Sequence, residues 1–413
     1  MGPKDVPALL AGDAEVTPAD ELEGKLALGR PLRVKLGLDP GAPMVTLGWA
    51  VVLRKLRQFQ DLGHQAVLIV GDFTARVGDP SGKSETRPRQ SKERVQELAA
   101  RLLDQFWLIL DEDRTEVRYN SEWLEPMDME GILGLTSSYT VARMLERDDF
   151  AKRYAQGKPI SIMEFLYPLF QGMDSVAVKA DVELGGRDQT FNLLVGRDLQ
   201  RDDGQDPQVA LTMPILVGTD GVQKMSQSLG NYIGITDPPQ EMFGALMSIP
   251  DDLIPRYELL ATDLGPDDRD RVVAGLEDGS IHPNEEKRRM ARAIVELYHP
   301  GAAERAEAAF DQVFKRHELP SEIPDRTVPL SLFARNEDGE WVVYVPALLE
   351  ALELVGSRSE GRRLQDQGGV RKDGVRQADE DVLVGGDPPG QLLGSVWQVG
   401  RRRFARLAGV EGT

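Results

Sequence analysis

Residues 32–70 constrain the fold more than any other part of the chain. Leu32-Arg33-Val34-Lys35-Leu36 alternates apolar and polar side chains, the period of a strand. Gly37-Leu38-Asp39-Pro40-Gly41 ends it with turn formers. In the stretch TLGWAVVLRKLRQFQDLG, Val52, Leu56 and Phe59 recur at i, i+4 and i+7, which draws one apolar stripe along a helix. Gly63 stands where such helices stop. Ala66-Val67-Leu68-Ile69-Val70 is then a continuous apolar run, as in a strand buried on both faces of a parallel sheet. Strand, helix and strand within about forty residues form a βαβ unit. Such units build doubly wound α/β domains, whose ligands sit at the carboxyl ends of the strands.

The alternation continues. A helix is expected near 90–111 and a strand at 116–120. A mostly helical insertion follows at 125–180. Asp181-Val182-Glu183-Leu184 reads as a strand before Gly185-Gly186, a helix starts near Gln189, and 209–217 is apolar enough for another strand. From 237 to 320 the sequence turns helical and charged, as in NEEKRRMARAIVELYH. Pro320, Pro324 and Pro329 mark a linker. The expected fold is therefore α/β. A polar arm (1–30) precedes a Rossmann-like parallel-sheet domain (31–235), a helical domain (236–327) and a small α+β unit (328–413).

Composition narrows the functional classes. The 413 residues suit two or three domains. At 41% hydrophobic and 28% charged they suit a soluble globular protein. No apolar run approaches the roughly 18 residues of a membrane span. The N-terminal stretch MGPKDVPALLAGDAEV lacks a secretory pattern, and Gly2 lacks the hydroxyl residue at position 6 that myristoylation needs. With no cysteine there are no disulfides and no thiolate metal sites, which fits a cytoplasmic protein. The four histidines have no metal-ligand spacing, so no protein-bound metal is expected. A net charge of −19 argues against non-specific coating of nucleic acid. Local patches such as Arg401-Arg402-Arg403 can still bind phosphate.

The strings VKLGLDP, VVLRKLRQFQDLGH, GDFTARVGDPSGKS, RYNSEWL, VARMLERDDFAKR, FLYPLFQGMDSV, ELGGRDQTFNLLVGR and KMSQSLGNYIGI occur in that order. On them the chain resembles bacterial tyrosyl-tRNA synthetases, class I enzymes, from near residue 30 to its end. The resemblance implies two steps. ATP, carrying Mg²⁺, activates tyrosine as the adenylate, and the amino acid then passes to tRNA-Tyr. It also implies a homodimer. Charge builds on the leaving phosphates, so cations and donors must be aimed there.

The resemblance places Asp79, Tyr167 and Gln171 at the substrate ammonium group, Asp174 at the phenolic hydroxyl, and Asp39 and Gln189 in the same pocket. Tyr167 and Gln171 are one helical turn apart, so one face presents both. A buried acceptor for the phenol rejects phenylalanine by up to about 10⁵, a figure for which this family is itself the reference case. Met173 and Arg187 depart from the usual tyrosine and threonine or serine.

On the ATP side, Lys83 and Arg87 match a loop that closes on pyrophosphate, and Lys224 and Ser226 belong to the second signature. Thr46-Leu47-Gly48-Trp49 stands for the first signature, normally His-(Ile/Leu)-Gly-His. Gly48 is kept and both histidines are absent. Thr46 also suits a helix N-cap, and Trp49 suits packing. Gly41 replaces a hydroxyl residue. Gln227 in Lys224-Met225-Ser226-Gln227-Ser228 replaces a lysine, and charge-assisted hydrogen bonds are roughly twice as strong as neutral ones.

The stretch SRSEGRRLQDQGGVRKDGVRQ resembles the S4-like RNA-binding domain that ends these enzymes. Arg358, Arg362, Arg363, Arg371 and Lys372 would form its basic face. Three readings stay open: a tyrosine–tRNA ligase with weakened activation, a non-activating paralogue that binds tyrosine or RNA, and a ligase with altered amino-acid specificity.

Overall fold

The computed structural model describes residues 9–77, 91–314, 323–400 and 403–411, and the statements below concern those residues. The chain divides into two compact units, residues 1–303 and 304–413.

The first unit is built on a six-stranded sheet. Its strands are β1 (Glu15–Thr17), β2 (Arg33–Leu38), β3 (Gln65–Val70), β4 (Thr115–Tyr119), β5 (Val182–Gly186) and β6 (Val209–Met213), in the order β1-β6-β5-β2-β3-β4. From β2 onward all neighbours are parallel, and only β1 runs antiparallel, against β6. The chain thus builds outward from β2 to β4, then returns to lay β5 on the other side of β2. That reversal opens a crevice at the carboxyl ends of β2 and β5, where doubly wound folds hold their ligands. The strand expected at 32–36 is β2, and the run at 66–70 forms β3 with every residue from Ala66 to Val70 buried. The strand β1 lies within the polar arm expected at 1–30, where the sequence reading placed no strand.

Helices join the strands. They are α1 (Glu21–Leu26), α2 (Leu47–Asp61), α3 (Thr74–Val77), α4 (Lys92–Phe106), α5 (Ser121–Leu124), α6 (Met129–Ser137), α7 (Val141–Met144), α8 (Asp148–Ala155), α9 (Ile162–Val178) and α10 (Thr190–Asp202). The insertion expected at 125–180 is α6 to α9. Ser161 and Glu164 close a capping box at the start of α9. α9 and α10 approach closely because Gly172 faces Gly196: a Cβ on Gly172 would lie 2.7 Å from Leu199 Cδ1 and 3.4 Å from the Gly196 Cα. After the sheet come α11 (Pro239–Met247), α12 (Ile254–Ala261), α13 (Pro266–Asp278) and α14 (Pro283–Tyr298). Tyr257 on α12 ties them to the chain leaving β6, donating to the Val217 carbonyl at 2.7 Å.

The second unit opens with the body of α15 (Ala303–Phe314). It continues with β7 (Asp325–Pro329), β8 (Phe333–Arg335), β9 (Trp341–Tyr344), α16 (Val345–Ala351), α17 (Arg358–Asp366), β10 (Val370–Lys372), β11 (Val375–Arg376), β12 (Asp381–Leu383), β13 (Val396–Val399) and β14 (Arg403–Glu411). Its sheets have the orders β11-β10-β13-β14-β7 and β12-β9-β8. Trp397, Leu348, Leu349 and Leu407 fill the core between its elements. Among the described residues, no helix is long and apolar enough to cross a membrane.

Candidate active site

The crevice at β2 and β5 gathers the polar residues of α9. Asp39 follows β2 directly. It accepts from the Tyr167 hydroxyl at 2.7 Å and from the Thr74 hydroxyl at 2.7 Å. Thr74 Oγ1 in turn accepts from Asn120 Nδ2 at 3.0 Å. The same Asn120 amide lies 3.5 Å from Asp174 Oδ2, and Trp123 Nε1 donates to Asp174 Oδ1 at 3.0 Å. One chain of polar groups therefore runs from Tyr167 to Trp123. It needs Gly71, because a Cβ there would fall 1.9 Å from Asp39 Oδ1. Asp174 is not solvated: it is buried, and that burial pushes its carboxyl up to about 7 against the pull of Lys35.

A second network sits one turn away. Gln171 Oε1 accepts from Asn192 Nδ2 at 2.9 Å, and its amide donates to Glu183 Oε1 at 3.1 Å. Glu183 also pairs with Lys35 at 2.9 Å, accepts from Ser175 at 3.0 Å and takes the Gln208 amide. Lys35 is wholly buried, with further bonds to the Gln171 carbonyl (2.9 Å) and the Ser175 hydroxyl (2.7 Å). Gln189 accepts from the Gly186 amide at 3.1 Å, which fixes it to the turn after β5.

Of the residues that the resemblance named, the structure brings Asp39, Tyr167, Gln171, Asp174 and Gln189 to the crevice at β2 and β5. Lys35, Glu183, Thr74, Asn120, Trp123 and Asn192, which the sequence reading did not single out, bond to them there. The available signal was Lys35 on one strand and Glu183 on another, two opposite charges that become direct neighbours in the β2–β5 register. Arg187, which departs from the usual threonine or serine, is held by the arm. Its guanidinium pairs with Glu15 at 2.9 Å and donates to the Asp13 carbonyl at 2.9 Å. Met173 packs with the apolar cluster of the insertion. Asp79, Lys83 and Arg87 lie outside the described residues.

At the start of α2, Thr46 is the N-cap, accepting from the Trp49 amide at 3.4 Å. Trp49 stacks on Phe106 of α4, with ring centroids 6.1 Å apart, and stays 38% exposed. Lys224 forms an ion pair with Asp188. Ser226 donates its amide to Asn231 Oδ1 at 2.8 Å. The second signature is therefore ordered against its surroundings.

In the second unit, Arg358, Arg362, Arg363 and Arg371 are exposed and Lys372 is half-buried. Arg358 pairs with Glu350 at 3.0 Å and Arg362 with Glu380 at 2.8 Å, while Arg371 donates to the Gly374 carbonyl at 3.0 Å.

This fold and crevice define a class I aminoacyl-tRNA synthetase core. Residues 27–315 match the sequence model described as "tRNA synthetases class I (W and Y)", and the chain belongs to that family. Its relatives narrow the family further. It is 50% identical to a tyrosine–tRNA ligase of Moorella thermoacetica over 404 residues, which is 97% of this chain and 94% of that one. It is 50% identical to the tyrosine–tRNA ligase of Geobacter sulfurreducens, covering 96% of each. Among solved structures, tyrosyl-tRNA synthetase of Archaeoglobus fulgidus, complexed with L-tyrosine, shares the fold. Its TM-score is 0.59 at 24% identity, covering 73% of this chain and 99% of that one.

Proposed function

We propose that the chain is a tyrosine–tRNA ligase that activates tyrosine with ATP and transfers it to tRNA-Tyr. The observation that carries this reading is the paired polar network on α9, in which Asp174 is buried at the floor of the switch-point crevice. A buried acceptor suits a phenolic hydroxyl, because a substrate lacking that hydroxyl leaves it unpaired. In this reading Tyr167, Gln171 and Asp79 hold the ammonium group, and Asp39 and Gln189 line the pocket. Gly48 leaves room for adenine, Thr46 and Ser226 face the nucleotide, and Lys224, Lys83 and Arg87 meet the phosphates. Mg²⁺ arrives with ATP.

The remaining parts follow the same reading. The basic residues of α17 and β10 contact tRNA phosphates as an S4-like module, while the helical domain expected at 236–327 lies, up to residue 303, within the same compact unit as the sheet. Met129, Leu133, Val141, Tyr154 and Ile162 are large apolar side chains left exposed on the insertion. They supply a homodimer interface. Light scattering then gives twice the 45.7 kDa chain mass. A cytoplasmic location belongs to the same reading.

Tyrosine-dependent pyrophosphate–ATP exchange tests the activation step without tRNA. Exchange with tyrosine supports the ligase. A folded sample inert with all the standard amino acids would make it a binding paralogue, the reading that Gly41, Thr46, Trp49 and Gln227 favour.

A further inference from the structure

The second signature is fastened to the first by side-chain and backbone contacts. Gln227 Nε2 donates to the Met44 carbonyl at 2.7 Å. Met225 is buried, and its sulfur lies 3.3 Å from the Gly48 amide. Its Cβ sits 3.5 Å from the place a Cβ on Gly48 would take. Backbone bonds flank this contact: the Leu47 amide donates to the Ile233 carbonyl at 2.8 Å and the Ile235 amide to the Val45 carbonyl at 2.9 Å. Asn231 braces the turn from within, holding the Ser226 amide at 2.8 Å and donating to Asp220 at 2.8 Å. Lys224 is occupied by Asp188.

We propose that Gln227 is a latch: a positioning residue that holds the second signature down on the start of α2 before ATP arrives. This rests on the ligase reading. A neutral amide offers little to a phosphate compared with an ammonium. It does make one directed hydrogen bond to a backbone carbonyl without desolvating a charge. The ordering that a free segment would undergo on binding ATP is then already complete in the unliganded protein. The consequence is a division of labour. Gln227 sets how readily ATP binds, while the charge on the leaving phosphates falls to Lys224 and the cations outside the described residues.

The test compares Gln227→Leu and Gln227→Glu, which remove the donor, with Gln227→Lys, which keeps one. Hydrogen exchange of amides 224–231 is read in the unliganded full-length protein. Loss of one hydrogen bond speeds exchange about five-fold in the Leu and Glu variants, and the Lys variant stays protected. In pyrophosphate exchange, the Leu and Glu variants raise KM for ATP about five-fold, while KM for tyrosine stays constant. Equal protection in wild type and the Leu variant overturns the latch, whatever the activity. Wild type that is inert in pyrophosphate exchange, with the protection difference intact, overturns the ligase reading and leaves the latch standing.

Discussion

Two ends of one crevice treat their polar residues in opposite ways. Along α9, Tyr167, Gln171 and Asp174 are tied to Asp39, Glu183, Asn120 and Asn192. At the start of α2, Thr46 caps its own helix, Trp49 leans on Phe106 half in solvent, and Gln227 bonds a backbone carbonyl. In the first region each side chain satisfies another side chain, so removing one strands its partner in a low dielectric. In the second, Thr46 and Gln227 bond single backbone groups and Trp49 leans on one ring, so a substitution frees at most one backbone amide or carbonyl. Substitutions at the start of α2 should therefore cost the fold less than substitutions along α9.

Three measurements break or sharpen that contrast. The largest effect is expected from restoring the nucleotide end. Thr46→His, Trp49→His and Gln227→Lys together should raise tyrosine-dependent pyrophosphate exchange by about 10³-fold. One preorganised donor in a transition-state site is worth about 10²–10³, and such gains do not simply multiply. A rise under about tenfold would mean that this end does not limit activation.

Next, Lys35→Met leaves Glu183 buried without its cation. Urea unfolding should show a loss of about 3–5 kcal/mol, the usual result of breaking a buried pair from one side. A loss under about 1 kcal/mol would place the pair among exposed, weak ones and end the claim that stability guards the α9 end.

The smallest effect concerns Asp174. Asp174→Asn should cut the preference for tyrosine over phenylalanine by about 10²-fold, the worth of one hydrogen bond to a charge. In wild type, burial holds this carboxyl at about 7. Below that pH the acceptor carries a proton, so KM for tyrosine should rise as pH falls through 7. The Asn variant should show no such slope.

Much of this was legible before any coordinates. The βαβ unit showed through because its periods are clean: alternation, a stripe at i, i+4 and i+7, then an unbroken apolar run. Tyr167, Gln171 and Asp174 were singled out by the resemblance; helical spacing alone says only that Tyr167 and Gln171 share a face. Lys35 did not show through. In an alternating string a lysine reads as the wet side of a strand, and only the packing of α9 on that face, where the Gln171 carbonyl and the Ser175 hydroxyl take its ammonium, makes it dry. Arg187 did not either, because its direction is set by Glu15, far away in sequence. The strand β1 is three residues long, too short for any period to declare itself.

That short strand has a consequence for synthesis. β1 is made first among the strands of its sheet, yet its partner is the last: Glu15 sits opposite Thr212. At ordinary translation speeds the ribosome needs on the order of ten to forty seconds to supply that partner. Throughout that interval the nascent arm has no edge to join, and its brevity, its glutamate and the following Pro18 make it a poor template for any other chain. The oldest segment of the sheet thus waits for the youngest, and the β6 edge can be covered only after the other five strands have been made.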